Sequence, residues 1–144
     1  MQTDKRVLLP TSVTFNLTIE KTLETLNIGG DKRYQMLSIF NEALTNIAKY
    51  AEAKNVETRI EIQDKNLIMT IVDDGKGFDP LQKREDTVLS SGHGLRNMQR
   101  RANRIKGQLD IVSKLGEGTS VILSFPMQDD GFWMKLKGLF SKYH

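Results

Sequence analysis

A chain of 144 residues with 38% apolar and 27% charged residues suits one compact domain with its own core and reads as globular rather than disordered. Its formal charge of +3 is mild, and the basic excess gathers at Arg96, Arg100, Arg101, Arg104 and Lys106 without a broad basic face or a recognition motif, which argues against nucleic acid as a partner. The absence of cysteine excludes disulfides and thiolate metal sites, no apolar run nears the roughly 20 residues that span a bilayer, and Lys5-Arg6 lead into only Val7-Leu8-Leu9 before Pro10, so neither a signal peptide nor a membrane span is expected and the location expected is cytoplasmic.

Val13, Phe15, Leu17 and Ile19 alternate with Thr14, Asn16 and Thr18, the period-two pattern of a strand with one buried face. After a break at residues 27–30, Asp31 reads as the N-cap of a long helix. Met36, Leu37, Phe40, Ala43, Leu44, Ile47, Ala48 and Ala51 form its broad apolar stripe, and the helix is expected to run to about Ala53. Val56, Thr58, Ile60 and Ile62 then share one side of a second strand. Asp64-Lys65-Asn66 turns it into Leu67 to Val72, and the two strands read as a hairpin. The continuous apolarity of 67–72 predicts a central strand covered on both faces or nearly so.

Residues 79–91 are polar, carry Pro80 and a charged patch from Lys83 to Asp86, and read as a mobile lid-like loop with a short helical piece around Thr87 to Leu89. Leu95, Met98, Ala102 and Ile105 return to helical spacing, ended by Gly107. Leu109 and Ile111 begin a strand, Gly116-Glu117-Gly118 turns it, and Val121, Leu123 and Phe125 complete the last one before Pro126. The order predicts an α/β two-layer sandwich: a mixed, mostly antiparallel sheet covered on one face by helices. Residues 1–126 form the expected domain and 127–144 a basic amphipathic tail. In the tail Phe132, Trp133, Leu136, Leu139 and Phe140 fall at helical spacing among Lys135, Lys137 and Lys142. Such a tail docks on its own domain, or lies on a membrane surface or a partner.

Four segments carry chemistry. On the long helix Glu42, Asn46 and Lys49 share a face. A carboxylate, an amide oxygen and an ammonium there suit a magnesium ion and phosphates, since Mg²⁺ takes oxygen ligands, only one or two of them from protein. A solvated Glu/Lys face is the plainer reading, against which stand two asparagines, Asn41 and Asn46, in mid-helix. In Ile71-Val72-Asp73-Asp74-Gly75-Lys76-Gly77-Phe78 an apolar run ends in a carboxylate that accepts hydrogen bonds and, while ionised, donates none. Gly75 and Gly77 let a flat ligand approach bare backbone. Together they suit a purine with an exocyclic amine, although DDGKG alone is equally an ordinary strand exit. Gly92-His93-Gly94-Leu95 opens a helix, where free amides attract anions; His93 itself reads as a loop residue rather than a catalyst. Gly116-Glu117-Gly118-Thr119-Ser120 is a tight hairpin turn whose Thr119 can also hydrogen-bond at the base end of a pocket.

In this order the four segments resemble the N, G1, G2 and G3 boxes of the ATP-binding domain shared by gyrase, heat-shock chaperone, histidine kinase and mismatch-repair ATPases. NEALTNIAKYAEA, GHGLRNMQRRA and GEGTSV are similar above all to two-component histidine kinases whose response regulators carry helix-turn-helix output domains, and the resemblance covers about residues 12 to 126. It implies a Bergerat-type fold with ATP and Mg²⁺ as cofactors. By the same resemblance Asn46 binds Mg²⁺, Lys49 and Tyr50 lie near the phosphates, Asp73 accepts the adenine amine, and Gly75 and Gly77 line the base. Gly92, His93, Gly94 and Leu95 close over the phosphates, and Thr119 supports the adenine end through water. Glu42 stays between two roles: the water-activating base of the hydrolysing branches, or an aid to the metal.

Two departures qualify the match. This kinase branch usually has His where Tyr50 stands, and a tyrosine is no imidazole base at neutral pH, so phosphate contact is expected there and proton transfer is not. A complete histidine kinase also needs a phosphoacceptor His on a dimerising hairpin. Neither His93 nor His144 lies in one, and the stretch before Val13 is too short to supply it. The expectation is the catalytic domain of a longer sensor kinase, itself with or without a membrane anchor, which passes the γ-phosphoryl group to a His on a dimerisation domain and so feeds a response regulator. The alternative within the family is a stand-alone kinase acting in trans, and the rivals are a hydrolase with Glu42 as base, an anti-sigma-type Ser/Thr protein kinase, and a regulatory nucleotide-binding module.

Overall fold

The computed structural model describes residues 9–79 and 93–127. Five strands form one sheet in the order β1-β2-β3-β5-β4. They are β1 (Thr14–Ile19), β2 (Asn55–Gln63), β3 (Asn66–Asp73), β4 (Gln108–Ser113) and β5 (Thr119–Pro126), with helices α1 (Gly30–Asn46) and α2 (His93–Arg104) between them. β1 runs parallel to β2, and every other pair is antiparallel. The expected two-layer α/β sandwich is thus observed, and its core is built where the strand alternation puts the apolar groups. Val56, Leu67, Met69, Ile71, Val121, Leu123 and Phe125 face Met36, Ile39, Ala43, Ile47, Met98 and Ala102 of the helices.

Register aligns the inner face in rows across the sheet. One row reads Phe15, Val56, Asp73, Thr119 and Ser113; the next reads Leu17, Thr58, Ile71, Val121 and Ile111. The Asp64–Lys65 turn between β2 and β3 holds both residues at positive φ, 50° and 66°, the form that matches strand twist in a two-residue hairpin.

Several expectations need correction. Phe15, Leu17 and Ile19 do alternate, but their face is exposed rather than buried. Among the described residues β1 pairs only with β2, at the edge of the sheet, and the core beneath the helices ends at β2. β3 is central, yet only one of its faces is covered: Leu67, Met69 and Ile71 are buried, while Val72 on the other side is exposed. Asp31 is not the cap of α1. Gly29 caps it at φ 83°, with its amide donating to the Asn27 side chain, and Asp31 sits in the first turn accepting from Gln35. The helix ends earlier than Ala53: residues Ile47–Ala51 form a wider π-type turn, and Glu52 leaves in the left-handed region. At the end of α2, Lys106 rather than Gly107 takes positive φ; Gly107 is small because a Cβ there would press on the Ser124 carbonyl at 2.8 Å.

The expected loop over 79–91 lies outside the described residues from Pro80 on, as do its helical piece at 87–89 and the expected tail from residue 128 on. Met127 is buried in the core. Among the described residues no helix is long and apolar enough to cross a membrane.

Candidate functional site

A cavity of about 290 Å³ opens between the C-terminal half of α1, the first turns of α2 and the Asp73 row of the sheet. Its walls are mostly apolar, from Ile47, Ile71, Met98 and Val121, with a few polar groups among them, Asn46, Tyr50, Asp73, Lys76 and Thr119. That composition is typical of a small-molecule site.

At the inner end stands Asp73, buried to 4% exposure by its place on the core-facing side of β3. Its Oδ1 accepts the Gly75 amide at 2.9 Å. Burial raises the pKa of this carboxyl above the ordinary 3.8, the Gly75 and Thr119 amides pull it back down, and the neighbouring Asp74 charge adds to the rise. Thr119 lies directly across the ladder from Asp73, and Ser113 across from Thr119. The two hydroxyl oxygens are 2.7 Å apart, and Ser113 Oγ also accepts the Phe78 amide at 2.8 Å. A polar row thus closes an otherwise apolar cavity.

Asp74 does different work. Its Oδ1 accepts the Lys54 and Asn55 amides at 2.8 Å each, and Oδ2 accepts Asn55 Nδ2 at 2.8 Å. These bonds hold its carboxyl below the usual range and staple the exit of β3 to the entry of β2.

The glycines serve chain-to-chain packing more than ligand approach. A Cβ on Gly75 would collide with the Ala51 carbonyl, one on Gly77 with the Lys114 carbonyl, and one on Gly118 with the Asp73 carbonyl. Hydrogen bonds run alongside: Lys76 N donates to Ala51 O, and Gly116 N to Lys76 O, both at 2.7 Å. The strand exit is thereby clasped between the end of the π-type turn and the β4–β5 hairpin. Gly77 lines the cavity; Gly75 supports it from behind.

Asn46 and Tyr50 also line the cavity, as does Leu95 of α2. Glu42 lies at the α1–α2 seam, where a Cβ on Gly94 would stand 2.6 Å from its Oε1 and 3.8 Å from Asn46 Nδ2. Glu42 and Asn46 are therefore brought together as the spacing predicts, with Gly94 of α2 against them. Lys49 is not: it is exposed and does not line the cavity, because the π-type turn that starts after Asn46 winds more widely than an α-helix and takes position 49 off the Glu42–Asn46 face. His93 begins α2, and Gly92 lies outside the described residues. Among the described residues no three His, Cys, Asp or Glu side chains cluster as a metal site.

Sequence reasoning missed Lys76, Phe78, Met98 and Ile111 as lining residues, and Ser113 behind them. Ser113 was within reach, since it is the next inward position after Leu109 and Ile111.

A mixed sheet with its helices on one face, and between them a cavity ending in a buried carboxylate, defines a nucleotide-binding α/β sandwich. The chain belongs to the histidine kinase-, DNA gyrase B- and HSP90-like ATPase family (HATPase_c), which it matches over residues 31–129. Membership in that family implies ATP as the ligand. The chain is 34% identical over 137 residues to the signal transduction histidine-protein kinase/phosphatase DegS of Brevibacillus brevis, covering 88% of this chain and 34% of DegS. It is 29% identical over 109 residues to the sensor histidine kinase LiaS of Bacillus subtilis strain 168, covering 76% of this chain and 29% of LiaS. It therefore spans about a third of the length of these curated relatives. In fold it resembles the histidine kinase domain of the Erythrobacter litoralis EL346 blue-light activated histidine kinase, with a TM-score of 0.65 at 19% identity over 82% of this chain and 53% of that one.

Proposed function

We propose that residues 1–126 act as the catalytic domain of a sensor histidine kinase, binding ATP·Mg²⁺ and donating its γ-phosphoryl group to a histidine of a dimerisation domain outside residues 1–144. A response regulator then receives the group. The work is cytoplasmic, where ATP is available. The single observation that carries this reading is the buried Asp73 carboxylate, with one oxygen held by the Gly75 amide, at the end of an apolar cavity sized for a base.

In this reading Asp73 accepts the adenine amine, Gly77 and Thr119 flank the base, and Asn46 and Tyr50 face the phosphates together with the Gly94–Leu95 turn at the N-terminus of α2, whose free amides favour anions. Lys49 contributes long-range positive charge. Asn46 and Glu42 offer an amide oxygen and a carboxylate side by side at the α1–α2 seam, which fits Mg²⁺, an ion that takes few protein ligands and completes its shell with phosphates and water. When bound, the ion neutralises phosphate charge. Phosphoryl transfer of this kind rests on positioning and charge stabilisation, so the chain's own task is to orient the nucleotide and exclude water from its base. The kinase relatives at 34% and 29% identity do not favour the hydrolase or Ser/Thr kinase alternatives.

Guanine presents an acceptor where adenine presents the amine. Sites that leave a buried polar group unpaired reject the wrong ligand by up to about 10⁴-fold. Calorimetry with ATP and GTP tests the assignment: the wild type should bind ATP and exclude GTP, and Asp73→Asn should lose ATP affinity at least about tenfold at unchanged fold. Unaltered ATP affinity in that variant refutes it.

A further inference from the structure

The inner face of β1 continues the rows of the core, yet the described residues leave most of it uncovered. Phe15, Leu17 and Ile19 are 37%, 48% and 48% exposed, and Leu37 on the neighbouring flank of α1 is 45% exposed. Phe15 meets Phe40 of α1 edge-on, with ring centroids 6.4 Å apart, which closes one end of a shoulder between β1 and α1. The polar residues between the three, Asn16 and Thr18, point to the opposite face. This apolar strip is therefore continuous, and it lies along an edge strand, which folded proteins normally protect. The outer face of the sheet is different in kind: its exposed Val72 and Val112 are separated by Ser120 and share the face with Glu57, Arg59 and Asp110.

We propose that this shoulder is the docking site for the chain's own C-terminal segment, residues 128–144, laid as a helix beside α1 over β1. Three observations select that occupant. The chain leaves the sheet at the right end: Pro126 pairs with Asn66, Met127 N bonds Lys65 O at 3.2 Å, and Ile19 is in register with Ile60 on the adjoining stretch of β2. The exit also lies beside the start of α1, where Lys32 Nζ donates to the Pro126 carbonyl at 2.6 Å. Crossing from β5 to β1 spans three strand spacings, roughly 14 Å, and Ile19 lies three residues, roughly 10 Å, short of the Pro126 row, about 17 Å in all; the five extended steps from Met127 through residues 128–131 to Phe132 reach about 17 Å. Beyond them Phe132, Trp133, Leu136, Leu139 and Phe140 supply an apolar stripe at helical spacing, while Lys135, Lys137 and Lys142 remain in water. The segment completes the helical layer that α1 and α2 leave short of β1.

Trp133 is the only tryptophan in the chain, so its fluorescence reads this contact directly. In the 144-residue protein its emission should lie to the blue of free tryptophan and resist acrylamide quenching. Leu17→Glu and Leu37→Glu, on two different elements, should each move the emission to that of free tryptophan with ATP affinity unchanged, and Val112→Glu on the outer face should leave it blue. Far-UV circular dichroism confirms folding; should Leu17→Glu unfold the edge strand, Leu37→Glu on the helix surface decides. A water-exposed Trp133 in the parent protein overturns the proposal, as does a red shift from Val112→Glu with none from Leu37→Glu. So does a blue shift that appears only at rising protein concentration, which assigns the face to a second copy, or only with anionic vesicles, which assigns the tail to a membrane.

Discussion

Gly118 lies against the main chain of Asp73 so closely that a side-chain carbon on the glycine would run into the aspartate's carbonyl oxygen. The β4–β5 hairpin therefore sets the position of the carboxylate at the end of the cavity. Gly118→Ala should cost about 1–3 kcal/mol from overpacking, with the left-handed φ of 78° adding to it, and should lower ATP affinity with it. Gly116→Ala is the control: φ is 83° there too, but no atom stands within 4 Å of the added carbon. It should lose only about 1 kcal/mol and leave affinity intact. Thermal unfolding and calorimetry on both variants separate the two effects.

This contact also shows where the sequence was legible and where it was not. Strands β2, β3 and β5 and the helices were readable because their apolar periods are long and each buries one face. The Asp73 carboxylate stood out only in company, because DDGKG alone is equally a strand exit and four segments in one order resemble a known set of boxes. The reasons for the glycines were not legible. Gly75 and Gly77 look like room for a ligand and Gly118 like a mere turn, but against each a carbonyl from a distant segment occupies the space. Such contacts join positions far apart in the chain and leave no periodic trace. Lys49 failed for a local reason, since the turn from Ile47 to Ala51 is wider than the α-helix that the spacing assumed. β1 failed for a topological one: alternation marks a face as apolar but does not say that anything covers it.

Two adjacent aspartates should respond to acid in opposite senses. Asp73 has a pKa raised above 3.8 by burial, so the folded protein takes up this proton at higher pH than the unfolded chain does. As pH falls through that raised value the protein gains stability from this group while losing the acceptor for the adenine amine. Asp74 has a pKa below 3.8, so its contribution to stability is present above 3.8 and is lost as pH falls through its lowered value. Adenosine affinity should therefore fall before the fold does on acidification. Calorimetry with adenosine, which avoids phosphate titration, run beside circular dichroism over the same pH range, checks the order. Asp74→Asn should weaken the acid dependence of unfolding and leave the affinity midpoint in place.

Gly94 and Glu42 offer a test of the metal end. The added methyl in Gly94→Ala would meet the carboxylate tip at 2.6 Å, and the end of a flexible side chain can move aside. Stability should therefore hold, or rise by as much as about 1 kcal/mol from the gain in helix propensity. The displaced Glu42 should weaken nucleotide binding in the presence of Mg²⁺ more than in its absence. Glu42→Gln should show the same asymmetry. Calorimetry with and without EDTA measures it, and equal losses in both conditions would remove Glu42 from the metal site.

Asn46 and Lys49 separate direct contact from long-range charge. Asn46 lines the cavity, whereas Lys49 is exposed and outside it, so a loss on Lys49→Ala must act through the field of its ammonium. Charges in water are screened beyond about 8 Å at physiological ionic strength and about 3 Å at 1 M. The modest drop in ATP affinity expected for Lys49→Ala should accordingly vanish as salt is raised, because the wild type loses the same term. Asn46→Ala removes the side-chain amide of a residue in the cavity wall itself, and its loss should persist at every salt concentration. Titrating both variants and the wild type from low to high salt distinguishes the two. A Lys49→Ala defect that survives high salt would mean that the turn after Asn46 rewinds and brings this side chain into the site when nucleotide binds.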